Sequence, residues 1–134
     1  MGGYSFEDLE VYKAARIYRK KMYALARILP EIEKYGLCPQ MRKAAVSLTN
    51  GIAEGHGRFH FQDNIRFVRI SRGSLEELLD DINVCIDEQY AEMSHLEALK
   101  SEGYELLNKI NSYIVYLNKR KSESDRPKTK HQEN

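Results

Sequence analysis

Apolar side chains recur along most of this chain at intervals of three and four residues, the period of a helix with one buried face. The first stripe is Val11, Ala14, Ala15, Tyr18, Met22, Leu25 and Leu29. Ser5-Phe6-Glu7-Asp8 precedes it, a serine able to accept from the amide three residues on and two carboxylates suited to the positive helix end. This predicts a helix near 6–29, closed by Pro30. Tyr35-Gly36-Leu37 makes a turn, and Pro39 suits the first turn of a second helix near 38–56, with Cys38 at its N-cap. Its stripe is Leu37, Met41, Ala44, Ala45, Leu48 and Ile52, and Gly55-His56-Gly57 ends it. A third helix, near 61–90, begins at about His60 or Gln62 and carries Val68, Ser71, Leu75, Leu78, Ile82 and Cys85 in a heptad-like alternation. Ser94-His95-Leu96-Glu97 predicts a second capping box, opening a fourth helix near 95–121 with Leu96, Leu99, Gly103, Leu106, Ile110, Tyr113 and Leu117 on its apolar face.

Four amphipathic helices joined by short connections predict an all-α protein, an antiparallel up-down four-helix bundle in a single domain over residues 1–121. The prolines agree: Pro30 and Pro39 mark a connection, Pro127 lies in the tail, and none interrupts the stretch from Gln40 to Arg126. At 134 residues the chain is long enough for one modest core. The segment 122–134 is short, polar and charged, and a disordered tail is expected there. No apolar run approaches the roughly 20 residues of a bilayer span, so no membrane partner is expected. Met1 to Glu7 has neither a basic nor an apolar signal region, and Cys38 and Cys85 form no disulfide framework, so the expected setting is cytoplasmic.

Charge changes this picture. Lys and Arg total 21 against 20 Asp and Glu, a formal net of +1 that argues against a uniformly basic nucleic-acid binder. The total hides segregation. Residues 1–58 carry ten basic and six acidic side chains, residues 59–121 eight and eleven, and the tail three of each. Oppositely charged helices packed side by side are the main explanation, and a basic binding surface on the first half is the alternative.

Candidate catalytic chemistry is sparse. Glu92-Met93-Ser94-His95 matches a di-iron half-motif once, without the second copy such a site requires. His56 and His60 have a chelating spacing, but Gly57 stands between them at an expected helix break. Cys38 at a helix start has no identifiable base, and no glycine-rich phosphate loop is present. No enzyme, no metal and no cofactor are expected.

Two polar arrangements exceed what a bundle needs. Ser47, Asn50, Glu54 and Arg58 form one polar stripe on the second helix, beside Gly51 and Gly55, which permit close backbone approach. On the third helix Arg66, Ile70, Gly73 and Glu77 share a face, and the mid-helix Gly73 suggests the same closeness. Asn50, Glu54 and Arg58 are therefore expected to meet Arg66, Arg72, Gly73 or Glu77 in a charge-paired contact, within the bundle or between subunits. On the first helix Lys13, Arg16, Lys20 and Arg27 lie opposite the core stripe with Tyr12, Arg19 and Tyr23 beside them. Cations interleaved with tyrosines suit phosphates and stacked bases, and a plain solvated face is the alternative.

Several segments, taken in order, resemble the small bacterial four-helix bundle proteins that include those encoded within intervening sequences of large-subunit rRNA. They are Phe6 to Tyr12, Tyr35-Gly36-Leu37 with Gln40 to Ser47, Asn50 to Gly55, Gly57-Arg58, and Phe67 leading to Arg72 through Glu77, together spanning about residues 5–120. The resemblance implies a homo-oligomer, commonly a pentameric ring with a central pore, and no catalytic residues. It also implies that Ser47, Asn50, Glu54, Gly55 and Arg58 with Arg72, Gly73, Ser74 and Glu77 are a signature of packing or interface. A related branch, the Avd-like accessory proteins of diversity-generating retroelements, partners a reverse transcriptase and binds nucleic acid. Departures are Cys38 and His60 where Ser or Thr is more frequent, Asn64 for an apolar residue, Gly51 for an Ala-like one and Tyr12 for Trp. The function expected is a non-enzymatic oligomeric bundle that binds RNA or DNA, associated with rRNA intervening sequences or acting as a reverse-transcriptase accessory protein. The alternative is a protein-interaction scaffold without physiological nucleic-acid binding.

Overall fold

A computed structural model describes residues 4–125 as four helices, with no strand among them. They are α1 (Glu10–Ile28), α2 (Leu37–His56), α3 (Phe61–Asp87) and α4 (Met93–Ser124). α1 packs against α2 and α4, and α3 packs against α2 and α4, with the α2–α3 contact the most extensive. The result is a four-helix bundle around one apolar core that includes Met22, Leu25, Met41, Leu48, Ile52, Leu75, Leu78, Ile82, Leu96 and Ile110. No described helix is long and apolar enough to cross a membrane.

The expected first helix is divided. Ser5 Oγ accepts from the Glu7 amide at 3.1 Å and Asp8 Oδ2 from the Ser5 amide at 2.8 Å, but this capping box closes a short 3-10 turn, Phe6–Asp8. Leu9 is extended, and α1 starts after it without a side-chain cap. The break lets Phe6 fold back edge-on against Tyr12, with ring centroids 4.9 Å apart. Tyr12 is consequently buried.

The start of α2 also differs from expectation. Gly36, not Cys38, holds the N-cap position, and Cys38 is the second helical residue, its thiol donating to the Ala26 carbonyl at 3.4 Å. The capping work falls to Glu33, whose Oε1 accepts from the Leu37 amide at 3.0 Å while Oε2 accepts from the Tyr90 hydroxyl at 2.6 Å. Those bonds, the tyrosine's foremost, hold the Glu33 carboxyl below its ordinary range and push Tyr90 up to about 12. A carboxylate at a helix N-terminus also meets the positive end of the helix dipole.

Tyr90 reaches Glu33 because α3 ends in a left-handed turn. Gln89 has φ 57°, the Tyr90 amide donates to the Cys85 carbonyl at 2.9 Å, and the Gln89 amide donates to Ile86 at 3.2 Å. These are the two bonds of a Schellman cap, here with glutamine at the position that favours glycine. α4 then starts at Met93, so Ser94 lies inside the helix and forms no capping box; burial of Leu96 and Leu99 seats this turn instead. The helix extends through Ser124, which brings 122–124 into α4, and the rest of the expected tail, 126–134, lies outside the described residues.

Close approach of α2 and α3 depends on Gly51 and Gly55. A Cβ at Gly51 would collide with Ser71 Oγ and the Phe67 carbonyl, and one at Gly55 would come within 2.6 Å of Asn64 Oδ1 and 2.9 Å of the Asn64 carbonyl. Farther along, Ser74 Oγ donates to Ser47 Oγ at 2.7 Å. α1 is tied to α4 by the buried Tyr18 hydroxyl, which donates to the Leu99 carbonyl at 2.9 Å, and by the Lys21–Glu102 ion pair at 2.7 Å. Burial holds the Tyr18 phenol protonated far above its ordinary range.

Candidate nucleic-acid interface

The core face of α1 dictates what faces out. With Val11, Tyr12, Ala15, Tyr18, Met22 and Leu25 turned inward, the 100° step per residue leaves Lys13, Arg16, Lys20 and Arg27 exposed. Arg19, Lys20, Tyr23 and Arg27 line a shallow groove of about 400 Å³ that reaches Val46 of α2. Arg19 is fixed in it, its Nη1 donating at 2.9 Å to Thr49 Oγ1, which itself donates to the Val46 carbonyl at 3.2 Å. Thr49 is 1% exposed, so this bond anchors one cation to a buried point on the neighbouring helix. Tyr23 is half-buried, with part of its ring packed on the core.

The groove continues past Arg27, which also lines an adjoining hollow of about 340 Å³ with Lys34 and Arg42. Sequence reasoning missed these two cations. Arg42 precedes Lys43 on the polar side of the α2 stripe, a visible signal, whereas Lys34 comes close only through the turn after Pro30. Glu31, in the same hollow, pairs with Lys34 at 3.8 Å.

Three of the expected residues do not join this groove. Lys13 pairs with Glu10 at 3.8 Å one turn earlier, and Arg16 is exposed but does not line it. Tyr12 is a correction: at 9% exposed and covered by Phe6, it belongs to the core and has no free ring face for a base.

The expected charge-paired contact between the α2 and α3 signature residues does not form within the chain. Arg58 pairs with Glu54 on its own segment at 3.9 Å and lies over the Phe67 ring at 4.5 Å. Arg66 pairs with Asp63 at 3.8 Å, and Arg72 donates to Asn111 Oδ1 of α4 at 3.1 Å. The reason is the helix crossing. Contact along Gly51 and Gly55 brings Ser47 to Ser74 and leaves Asn50, Glu54 and Glu77 exposed on the flanks. Gly73, expected to be closely packed, is exposed, and a Cβ added to it would meet nothing within 4 Å. Among the described residues no three His, Cys, Asp or Glu side chains come together as metal ligands.

The family model described as 23S rRNA-intervening sequence protein matches residues 7–112. The chain belongs to this family. The match to the 23S rRNA-intervening sequence proteins takes in all of α1, α2 and α3, both basic hollows and α4 as far as Ser112. Among curated proteins none matches the chain.

Proposed function

We propose that this protein is a non-catalytic nucleic-acid-binding bundle whose α1–α2 groove holds a phosphate backbone. The observation that carries the reading is the continuity of the groove: Arg27 belongs to both hollows and joins Arg19 and Lys20 to Lys34 and Arg42. Phosphate contacts of this kind are sequence-independent and displace condensed counterions, so affinity should fall steeply with salt. The family's name supports a connection with rRNA intervening sequences. The reading extends to an antiparallel arrangement of the helices, a cytoplasmic setting and a homopentameric ring, in which repeated grooves would multiply a modest affinity through avidity. An accessory role beside a reverse transcriptase, as in the Avd-like branch, rests on the resemblance of the same ordered segments.

A second reading, a protein-interaction scaffold, draws on the open α2–α3 flank, where Ile70 is 51% exposed and Gly73 leaves room for a close neighbour. One series separates the two. Fluorescence anisotropy with a labelled single-stranded RNA is run from low to high salt on the parent chain and on Arg19→Ala, Lys20→Ala and Arg27→Ala. The nucleic-acid reading expects each lost phosphate contact to lower the log–log salt slope by about 0.7. Absence of binding at low salt, or variants that leave the slope unchanged, defeats it. Light scattering tests the ring independently, and a monomer mass would defeat that part.

A further inference from the structure

A second concavity lies apart from the basic groove, where the start of α1, the end of α2, the start of α3 and the last turns of α4 meet. It encloses about 420 Å³, and its walls include Tyr4, His56, Phe59, Phe61, Tyr113 and Tyr116. A smaller hollow of about 250 Å³ shares Phe59, His60 and Phe61 with it and reaches Lys121 on α4. The combined space is within the usual range for small-molecule sites.

The core accounts for Phe61 and Tyr113, which pack against it, but not for the exposed rings. Phe59 is 93% exposed on the α2–α3 connection, held edge-on to His60 with centroids 5.0 Å apart. A single exposed apolar side chain is ordinary, but here Tyr4 is 68% exposed and Tyr116 50% exposed around the same cavity. Tyr113 and Tyr116 lie nearly parallel, 15° apart with centroids at 6.2 Å. Cations stand among the rings. Arg58 lines the cavity, and Arg120 lies 5.6 Å from the Phe61 centroid and donates to the Tyr116 hydroxyl at 3.2 Å. The cavity also reaches Asn64, 7% exposed, whose Oδ1 is packed against Gly55 of α2 and does not face a ligand.

Flat π surfaces with cations beside them suit one kind of group. A nucleobase offers a ring face for stacking and a phosphate on either side for Arg58, Arg120 and Lys121. A duplex keeps its bases stacked and paired, whereas a single strand presents them singly to aromatic platforms. We propose that this cavity binds one unpaired base of a single-stranded nucleic acid, stacked on Phe59, with the flanking phosphates held by Arg58, Arg120 and Lys121. The inference rests on the nucleic-acid reading above and adds a base-binding site to it, on side chains that the α1–α2 groove does not use.

The test compares two labelled ten-residue oligomers by anisotropy with the full chain at low salt: oligothymidylate, and an abasic oligomer with the same sugar-phosphate backbone. Oligothymidylate should bind about fivefold to a hundredfold more tightly, the range of one base–aromatic stack. Phe59→Ala, at an exposed position and checked by circular dichroism, should reduce oligothymidylate to the abasic affinity, and Phe59→Tyr should keep the difference. Arg27→Ala should weaken both oligomers alike. Equal affinity for the two oligomers, or an undiminished difference in Phe59→Ala, overturns the base site while leaving the groove intact. Failure of both oligomers to bind overturns both readings together.

Discussion

Asp81 is a carboxylate in an unfavourable place, and its removal should stabilise the protein. It lies on α3 at 7% exposure, with Oδ2 unpaired. Burial above all, then the charges of Glu77 and Asp80, push its carboxyl up to about 6. An unfolded aspartate titrates near 3.9, so between about pH 4 and pH 6 the folded state binds more protons than the unfolded one. Stability from this group therefore falls as pH rises through that window, and the full penalty is present above it. A shift of about two units corresponds to about 3 kcal/mol, which solvent screening at the partly open side reduces to about 1–2 kcal/mol. Asp81→Asn keeps the shape and removes the charge. Its melting temperature, followed by circular dichroism at fixed protein concentration, should exceed the parent's at pH 7.5 by about 3–8 °C. The gain should vanish near pH 4, where both side chains are neutral. A variant less stable than the parent at pH 7.5, or equally stabilised at both pH values, refutes the reasoning.

Two glycines should respond in opposite directions to the same change. Gly51→Ala drives a methyl group into Ser71 and the Phe67 backbone and should cost about 1–3 kcal/mol in urea unfolding, whereas Gly73→Ala enters open space and should gain about 0.5–1 kcal/mol from helix propensity. Gln89→Gly should raise stability by up to about 1 kcal/mol, because residue 89 holds φ 57° at the Schellman position; a loss would show that its side chain matters more than the backbone. Both thiols are buried, and burial, followed by the charge of Asp81, pushes Cys85 up to about 11. Neither should react with a thiol-specific disulfide reagent at pH 8 until urea unfolds the chain, and rapid labelling of the native protein would contradict this.

The core was legible because it is periodic. Each stripe of apolar residues at three- and four-residue spacing became the buried face of a helix, with Met22, Met41, Leu75 and Ile110 among its centres. What the period could not convey was how helix ends are finished. Ser5 and Ser94 read alike as caps, yet Ser5 closes a separate turn and Ser94 sits within α4, because the packing of Phe6 and of Leu96 fixes where each helix begins. Tyr12 follows the same rule: it joins the buried core, and the returning Phe6 packs edge-on against its ring. Glycine carries no sign of its own in a sequence. Gly51 and Gly73 both interrupt helices, and the surface each one meets, Ser71 in one case and open space in the other, gives it opposite meaning.

The same distinction applies to charge. A net of +1 is a sum over the chain, while a bound anion senses charges within about a Debye length, roughly 8–10 Å in ordinary salt. The relevant quantity is therefore local. Folding gathers Arg19, Lys20 and Arg27 into one hollow and, through Arg27, adds Lys34 and Arg42, while the acid in that run, Glu31, is engaged by Lys34. The acidic residues that balance the sum include Glu76, Glu77 and Asp80 on the exposed side of α3, and they line neither hollow. The aromatic cavity has no comparable trace in any window of sequence, since Tyr4, Phe59 and Tyr116 come together only when the chain is folded. A cation-rich helix face can be read from the order of residues; a place for one base requires the tertiary contacts, so the two proposed sites call for different substitutions, and loss of the base site leaves the groove standing.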